Sequence, residues 1–273
     1  MQAATALNSV FAANRSAGRI ALSVGAQDGV TRRREVYEHG PLRIRFPNAG
    51  DHDLEAVIVN TAGGIAGGDR HDIDIGVGNG AALGVTTAAA EKIYRALGPC
   101  AEIAIRLAVG AGGRLSWLPQ ETILFDRARL DRRIDIELDA DATFLMAEAV
   151  VFGRTAMGEA VEQGAFNDRW RVRRDGRLIL AETVRLDGPI ERMLAEPAVA
   201  NGGIAIATVL AVPGDEQMAE RARTQSFCGE VGISAWNGLA VARFCAKDGA
   251  GLRRDLATVI AALGGTLPRL WLN

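Results

Sequence analysis

Two glutamates stand where the surrounding residues call for an apolar side chain. Glu148 interrupts "FLMAEAVVFG" (144–153), and Glu121 interrupts "WLPQETILF" (117–125). A carboxylate removed from water is costly unless it is paired or internally solvated, so each acid needs a partner. Arg154, Arg127 and Arg95 are the cations close enough in sequence to supply a structural ion pair. The enzymatic alternative is a β-solenoid carbohydrate-active enzyme in which Glu121 and Glu148 flank a glycosidic bond as paired carboxylates, one of them a general acid. Sugar-stacking platforms are scarce for that role, with only Tyr37, Tyr94 and four tryptophans available.

Other site chemistries find little support. His39, His52 and His71 are isolated from one another and from any cysteine, which disfavours a fixed imidazole–thiolate metal site. Cys100, Cys228 and Cys245 form an odd, widely spaced set, as expected of a reducing cytoplasm and not of a disulfide framework. No G-x-S-x-G elbow places a serine beside a base. Arg and Lys together number 31 against 33 acids, so no positive field is present to gather nucleic acid or an anionic membrane. No run approaches the roughly 18 apolar residues of a membrane helix.

The stretch "NTAGGIAGGDRHDID" (60–74) brings Gly63, Gly64, Gly67 and Gly68 together after an apolar run. A phosphate cradle would need a helix to start there and present its N–H groups. Instead Ile73, Ile75 and Val77 alternate with Asp72, Asp74 and Gly76, the period of a half-buried strand. The glycines therefore read as a bend between two strands.

The elements around these residues repeat. "DIDIGVGNGAALGV" (72–85), "EIAIRLAVGAGGRLSW" (102–117) and "RIDIELDADATFLM" (133–146) each run as strand, turn, strand, with Ile73, Ile103 and Ile134 spaced 30 and 31 residues apart. "RWRVRRDGRLIL" (169–180) is a weaker fourth copy. Units of this kind bury their apolar faces by stacking. Helices are expected at 215–224 and 251–263, and a buried strand within 200–212. The fold class is mainly β, a stacked-sheet or solenoid-like scaffold with about two helices near the C-terminus. Its 273 residues, 48% of them apolar, suit one domain over 18–273, preceded by a flexible arm over 1–17.

Five stretches in order, "GGIAGGDR" (63–70), "VTTAAAEKIYRA" (85–96), "WLPQETILFDRARL" (117–130), "GRTAMGE" (153–159) and "LPRLW" (267–271), resemble the urease accessory protein D family, called H in some organisms. The resemblance implies a β-rich scaffold and not an enzyme. It implies binding of the urease apoprotein and recruitment of accessory proteins F and G, the latter a GTPase. It further implies no tightly bound cofactor, with Ni2+ as transient cargo in an internal polar passage. Carried onto this chain, the glycine bend positions Asp69, Thr86 and Thr87 lie on the family's threonine-rich strand, and Tyr94 in its tyrosine motif. Asp69, Glu121 and Glu148 become candidates for Ni2+ transit, oxygen ligands that hold a borderline ion weakly enough to release it. Glu91 departs from the family pattern, in which many relatives carry threonine.

Overall fold

The computed structural model describes residues 15–47 and 54–272. His52 and most of the expected N-terminal arm, residues 1–14, lie outside the described residues. The chain runs through β1 (Ala17–Gln27), β2 (Val30–His39), β3 (Leu42–Arg45), β4 (Leu54–Asn60), β5 (Arg70–Val77), β6 (Ala82–Thr87), β7 (Glu91–Ile93), β8 (Ala101–Val109) and β9 (Arg114–Trp117). It continues through β10 (Thr122–Leu124), β11 (Arg129–Leu138), β12 (Thr143–Phe152), β13 (Gly164–Arg174), β14 (Arg177–Gly188), α1 (Ile190–Ala195) and β15 (Ala205–Val212). The last elements are α2 (Glu216–Arg223), β16 (Glu230–Trp236), β17 (Leu239–Ala246) and α3 (Gly249–Ala262).

From β5 to β12 the chain passes back and forth between two sheets, and its strands pair in parallel with their counterparts one turn later, which is the geometry of a solenoid. One sheet is ordered β14-β13-β11-β8-β5-β1-β2; the other runs β16-β17-β15-β12-β9-β6-β4-β3, with β7 and β10 forming a short extension beside β12. Each coil places one apolar face between the sheets. Inward columns such as Ile20, Ile73, Ile105, Ile134 and Trp170 stack across five strands. Leu22, Ile75, Leu107, Ile136 and Val172 form the next column. Helices α2 and α3 cover the outer face of the second sheet, where Leu252, Leu256, Val259 and Ile260 join one apolar cluster with Ala207 and Val209 of β15 and Ala242 and Phe244 of β17.

The three repeats are the successive coils β5–β6, β8–β9 and β11–β12. Their register differs from the sequence alignment: Ile73 stacks on Ile105, not Ile103. A shift of two residues preserves the inward face, so alternation alone cannot distinguish the two. The weaker fourth copy is no coil at all. β13 and β14 form an antiparallel hairpin within one sheet, because Asp175 and Gly176 adopt φ of 51° and 71° and turn the chain directly back. In the C-terminal quarter β15, β16 and β17 extend the second sheet beside the two expected helices. The α1 helix is too short to register as a helical period.

Candidate functional site

The glycine bend leads into β5 as an extended strand, so no helix N-terminus faces it. Two of its glycines are required by close approach: a Cβ at Gly64 would lie 2.4 Å from Tyr94 Cε2, and one at Gly67 would lie 2.5 Å from Ala96 Cβ. Tyr94 closes the bend by donating its hydroxyl to the Gly63 carbonyl at 2.7 Å. Asp69 is buried, and both its oxygens are taken by backbone N–H groups, of Ser16 and of Ala66, each at 2.8 Å. It is the staple of the turn, and neither oxygen faces a passage without a partner.

Four of the five sequence motifs converge on the edge of the solenoid built from Ile65, β7, β10 and the end of β12. Ile65 bridges Ile93, β7 pairs with β10, and β10 pairs with β12. Thr87 accepts from the Gln120 backbone at 2.8 Å, whereas Thr86 is fully buried with its hydroxyl unpaired among the described residues. The fifth motif closes over this edge from behind. Gln120 donates to the Leu270 carbonyl at 3.0 Å and the Trp271 indole donates to the Leu118 carbonyl at 3.0 Å.

Glu121 belongs to that clasp. It pairs with Arg253 of α3 at 3.0 Å, and Arg253 also donates to the Trp271 carbonyl at 3.1 Å. The partner is thus a helix on the outer face of the sheet, not Arg95, Arg127 or Arg154. Arg154 pairs instead with Glu159.

Glu148 points the other way. On β12, Phe144, Met146, Val150 and Phe152 face the core between the sheets while Leu145, Ala147 and Ala149 face the helices; Glu148 shares the inward parity. It stands where β12 loses its parallel neighbour, between the register with β9 that ends at Met146 and the register with β10 that begins at Val150. Trp117 donates its indole N–H to Oε1 at 2.7 Å, and the Arg132 guanidinium donates to Oε2. Arg132, on β11 of the opposite sheet, also grips Asp168 of β13 through Nε at 3.0 Å and Nη2 at 2.6 Å. It approaches Thr122 Oγ1 at 3.5 Å. Arg132, Glu148 and Asp168 are all 5% exposed or less.

One guanidinium therefore serves two carboxylates. Burial opposes its charge, yet Asp168 and Glu148 together outweigh that cost and hold its pKa above the ordinary value. Asp168 takes the bidentate contact, the stronger geometry for a carboxylate. Glu148 is left with its pKa pushed up, chiefly by burial, with Arg132 pulling it down and Asp168 adding to the rise.

This cluster opens a polar row that leads outward. In the second sheet Glu148, Thr208 and Arg243 stand in register, and in the first Arg132 leads to Asp168, with Glu182 opposite Trp170. The row ends at the ion pair of Glu182 with Arg243, half exposed at the surface. Inward, Thr122 stands in register with Glu91 of β7, whose carboxylate receives both contacts of the Asn60 amide at 3.0 and 3.2 Å. Burial lifts the Glu91 carboxyl from 4.5 to about 7, against the pull of Asn60 and Lys92.

Glu121 and Glu148 thus point to opposite faces of one sheet, Glu121 paired with Arg253 and Glu148 sharing Arg132 with Asp168, and cannot flank one substrate bond. His71 is buried in the column beside Ile103, its pKa lowered by burial against Asp69 and Asp72. Among the described residues no group of three or more His, Cys, Asp and Glu could hold a metal, and no helix is long and apolar enough to cross a membrane. Sequence reasoning missed Arg132, Asp168 and Glu182. A charged residue at an inward position of an alternating strand was the available signal for Arg132, in "RLDRRIDIEL" (129–138).

The fold and these paired interior charges define a β-solenoid scaffold whose buried Arg132, Glu148 and Asp168 answer one another. The model of the UreD urease accessory protein family matches residues 16–272. A urease accessory protein UreD of Bradyrhizobium diazoefficiens is 62% identical over 268 residues, covering 97% of each chain. One from Rhodopseudomonas palustris strain BisA53 is 58% identical over 268 residues, covering 97% of this chain and 94% of the relative. The chain belongs to the UreD family of urease accessory proteins.

Proposed function

We propose that this protein is a non-catalytic, chaperone-like scaffold of the cytoplasm that binds the urease apoprotein and recruits accessory proteins F and G for insertion of Ni2+. The observation that carries the reading is the family match along nearly the whole chain, joined to the arginine pairing of Glu148, Asp168 and Glu121. Nickel is cargo here. The transit path we propose is the buried row from Glu91 through Thr122 and Glu148 to Asp168 and Glu182. Its oxygen donors suit a borderline cation in passage, and Arg132 neutralises the acids between transfers. Of the three acids expected to carry nickel, Glu148 alone lies on this row; Asp69 and Glu121 are engaged in a turn and a clasp.

Co-expression with the urease subunits and accessory proteins F and G tests the scaffold: affinity capture of this chain should recover all of them, and recovery of none would refute it. For transit, Glu148→Gln should reduce nickel per urease active site while leaving the captured complex intact, and Glu121→Gln should leave loading at the wild-type level. Equal loading by wild type and Glu148→Gln would remove the interior route.

A further inference from the structure

The two sheets end out of step. Arg243 of β17 pairs with Glu182 of β14, so the last strand of the first sheet lies over the next-to-last strand of the second. β16 extends beyond it. Gly232, Ser234 and Trp236 of β16 stand in register with Arg243, Val241 and Leu239 of β17, and so share the face that Val241 and Leu239 turn to the core between the sheets. Ile233 and Ala235 turn the other way, to the helices. Gly232, Ser234 and Trp236 are all exposed, Trp236 by 36%, and a Cβ added at Gly232 would meet nothing within 4 Å. Among the described residues this strip of inner face has no facing strand.

The position over the strip is also the free edge of β14. Strands lie about 4.8 Å apart within a sheet and sheets about 10 Å apart, so one extended segment laid beside β14 would continue the first sheet and cover β16 at once. From Leu180 to Gly188, β14 pairs with β13 without a shift and contains no proline, which leaves its other side a template for strand addition. The remaining edges are blunted. β2 carries a bulge at Arg34, β3 is four residues long, and the Ile233 carbonyl of β16 is taken by Arg223 of α2.

The side chains around this edge define what the segment must carry. Ala181, Thr183 and Arg185 are exposed on the outer face of β14. Beside Ala181 on β13 stands Arg171, whose guanidinium reaches over to the Glu182 carbonyl of β14 at 3.3 Å and makes no ion pair among the described residues. Arg185 meets only the exposed Asp187, at 3.7 Å. A carboxylate opposite Ala181 would therefore meet Arg171, and one opposite Arg185 would meet that arginine directly. On the inner face Val184 packs against the core, and an apolar side chain opposite it would rest on the bare strip of β16.

We infer that β14 accepts an extended segment of a partner protein in which acidic residues alternate with apolar ones, added as an eighth strand to the seven-stranded sheet over Gly232, Ser234 and Trp236. Binding at this edge needs neither nickel nor urease, and so goes beyond the scaffold reading.

The test is fluorescence anisotropy of a fluorescein-labelled octapeptide of alternating Glu and Val titrated with the full chain. It should bind, more weakly at high salt, and the alternating Lys and Val peptide should not. Arg171→Ala combined with Arg185→Ala removes two cross-strand charge pairs from the solvent side and should weaken binding by about two- to thirtyfold. Gly232→Phe fills the position over β16 and should abolish binding with an unchanged melting curve. Amide exchange within 180–186 should slow when the acidic peptide is bound. Equal affinity for the two peptides, or wild-type affinity in either variant, overturns the inference. So does a dimer of the free chain, seen by sedimentation and lost in Gly232→Phe, that leaves the acidic peptide unbound, since it assigns the position to a second copy.

Discussion

Replacing Arg132 with methionine removes the only cation that reaches both Glu148 and Asp168 among the described ion pairs. Methionine preserves much of the apolar stem but leaves two carboxylates, each 5% exposed or less, without a counter-charge. Breaking a buried ion pair from one side costs about 3–5 kcal/mol. For a chain of this size each kcal/mol corresponds to about 2–4 °C, which places the fall in Tm at about 6–20 °C. The deficit must depend on pH in a definite direction. Without Arg132, burial favours the protonated form of Glu148 still more, so its folded-state pKa rises further above the unfolded one. Stability is then retained at pH values below the unfolded pKa and lost as pH rises through the folded pKa. Urea unfolding followed by tryptophan fluorescence should show Arg132→Met closest to wild type in acid and furthest from it at pH 8. Adding Glu148→Leu and Asp168→Leu should recover most of the loss, since an apolar replacement of a whole buried charge cluster is often neutral. The unpaired Trp117 indole then retains a cost of about 1–3 kcal/mol. A single-variant loss below about 1 kcal/mol, or a deficit that grows toward acid, would refute the assignment of these acids as a buried, arginine-dependent pair.

Glu91 gives a second pH signature. Raising its carboxyl from 4.5 to about 7 costs the fold up to about 3 kcal/mol, absent below pH 4.5 and fully developed above pH 7. Glu91→Gln should therefore gain on wild type by up to that amount between pH 4.5 and 8 in equilibrium unfolding, and a constant difference over that range would contradict the burial of this acid. At Gly64, alanine must displace the Tyr94 ring and the Lys92 carbonyl, 2.4 and 2.9 Å from the added Cβ, at a φ of 150°. A loss of about 1–3 kcal/mol with a shifted Tyr94 environment is expected, and a wild-type melting curve would show that the bend is not tight.

The comparison of sequence with structure separates along the range of the interaction. Alternation in "RHDIDIGV" identified β5, and the strand after the glycines excluded a phosphate cradle. The helices over 216–223 and 249–262 were likewise legible from acids, caps and apolar spacing; Asp215 and Asp248 accept from Met218 N and Gly251 N as caps. The burial of Glu148 was legible too, because a lone acid interrupts the apolar run "FLMAEAVVFG". The five motifs also carried the family.

Only the folded chain decided which arginine answers which acid. Arg132 is 16 residues from Glu148 and 36 from Asp168, on a facing and a neighbouring strand respectively, so their meeting depends on how the coils stack and not on anything within one strand. The register is equally hidden, since Ile103 and Ile105 have the same parity and both point inward, yet Ile105 is the residue stacked on Ile73. Glu121 and Glu148 look alike in sequence and lie on opposite faces of a sheet because β9 ends at Trp117 and β10 starts afresh at Thr122. Local periodicity is set by backbone geometry and survives in the sequence. Pairing between distant charges is set by packing, and it exists only once the sheets have closed on each other.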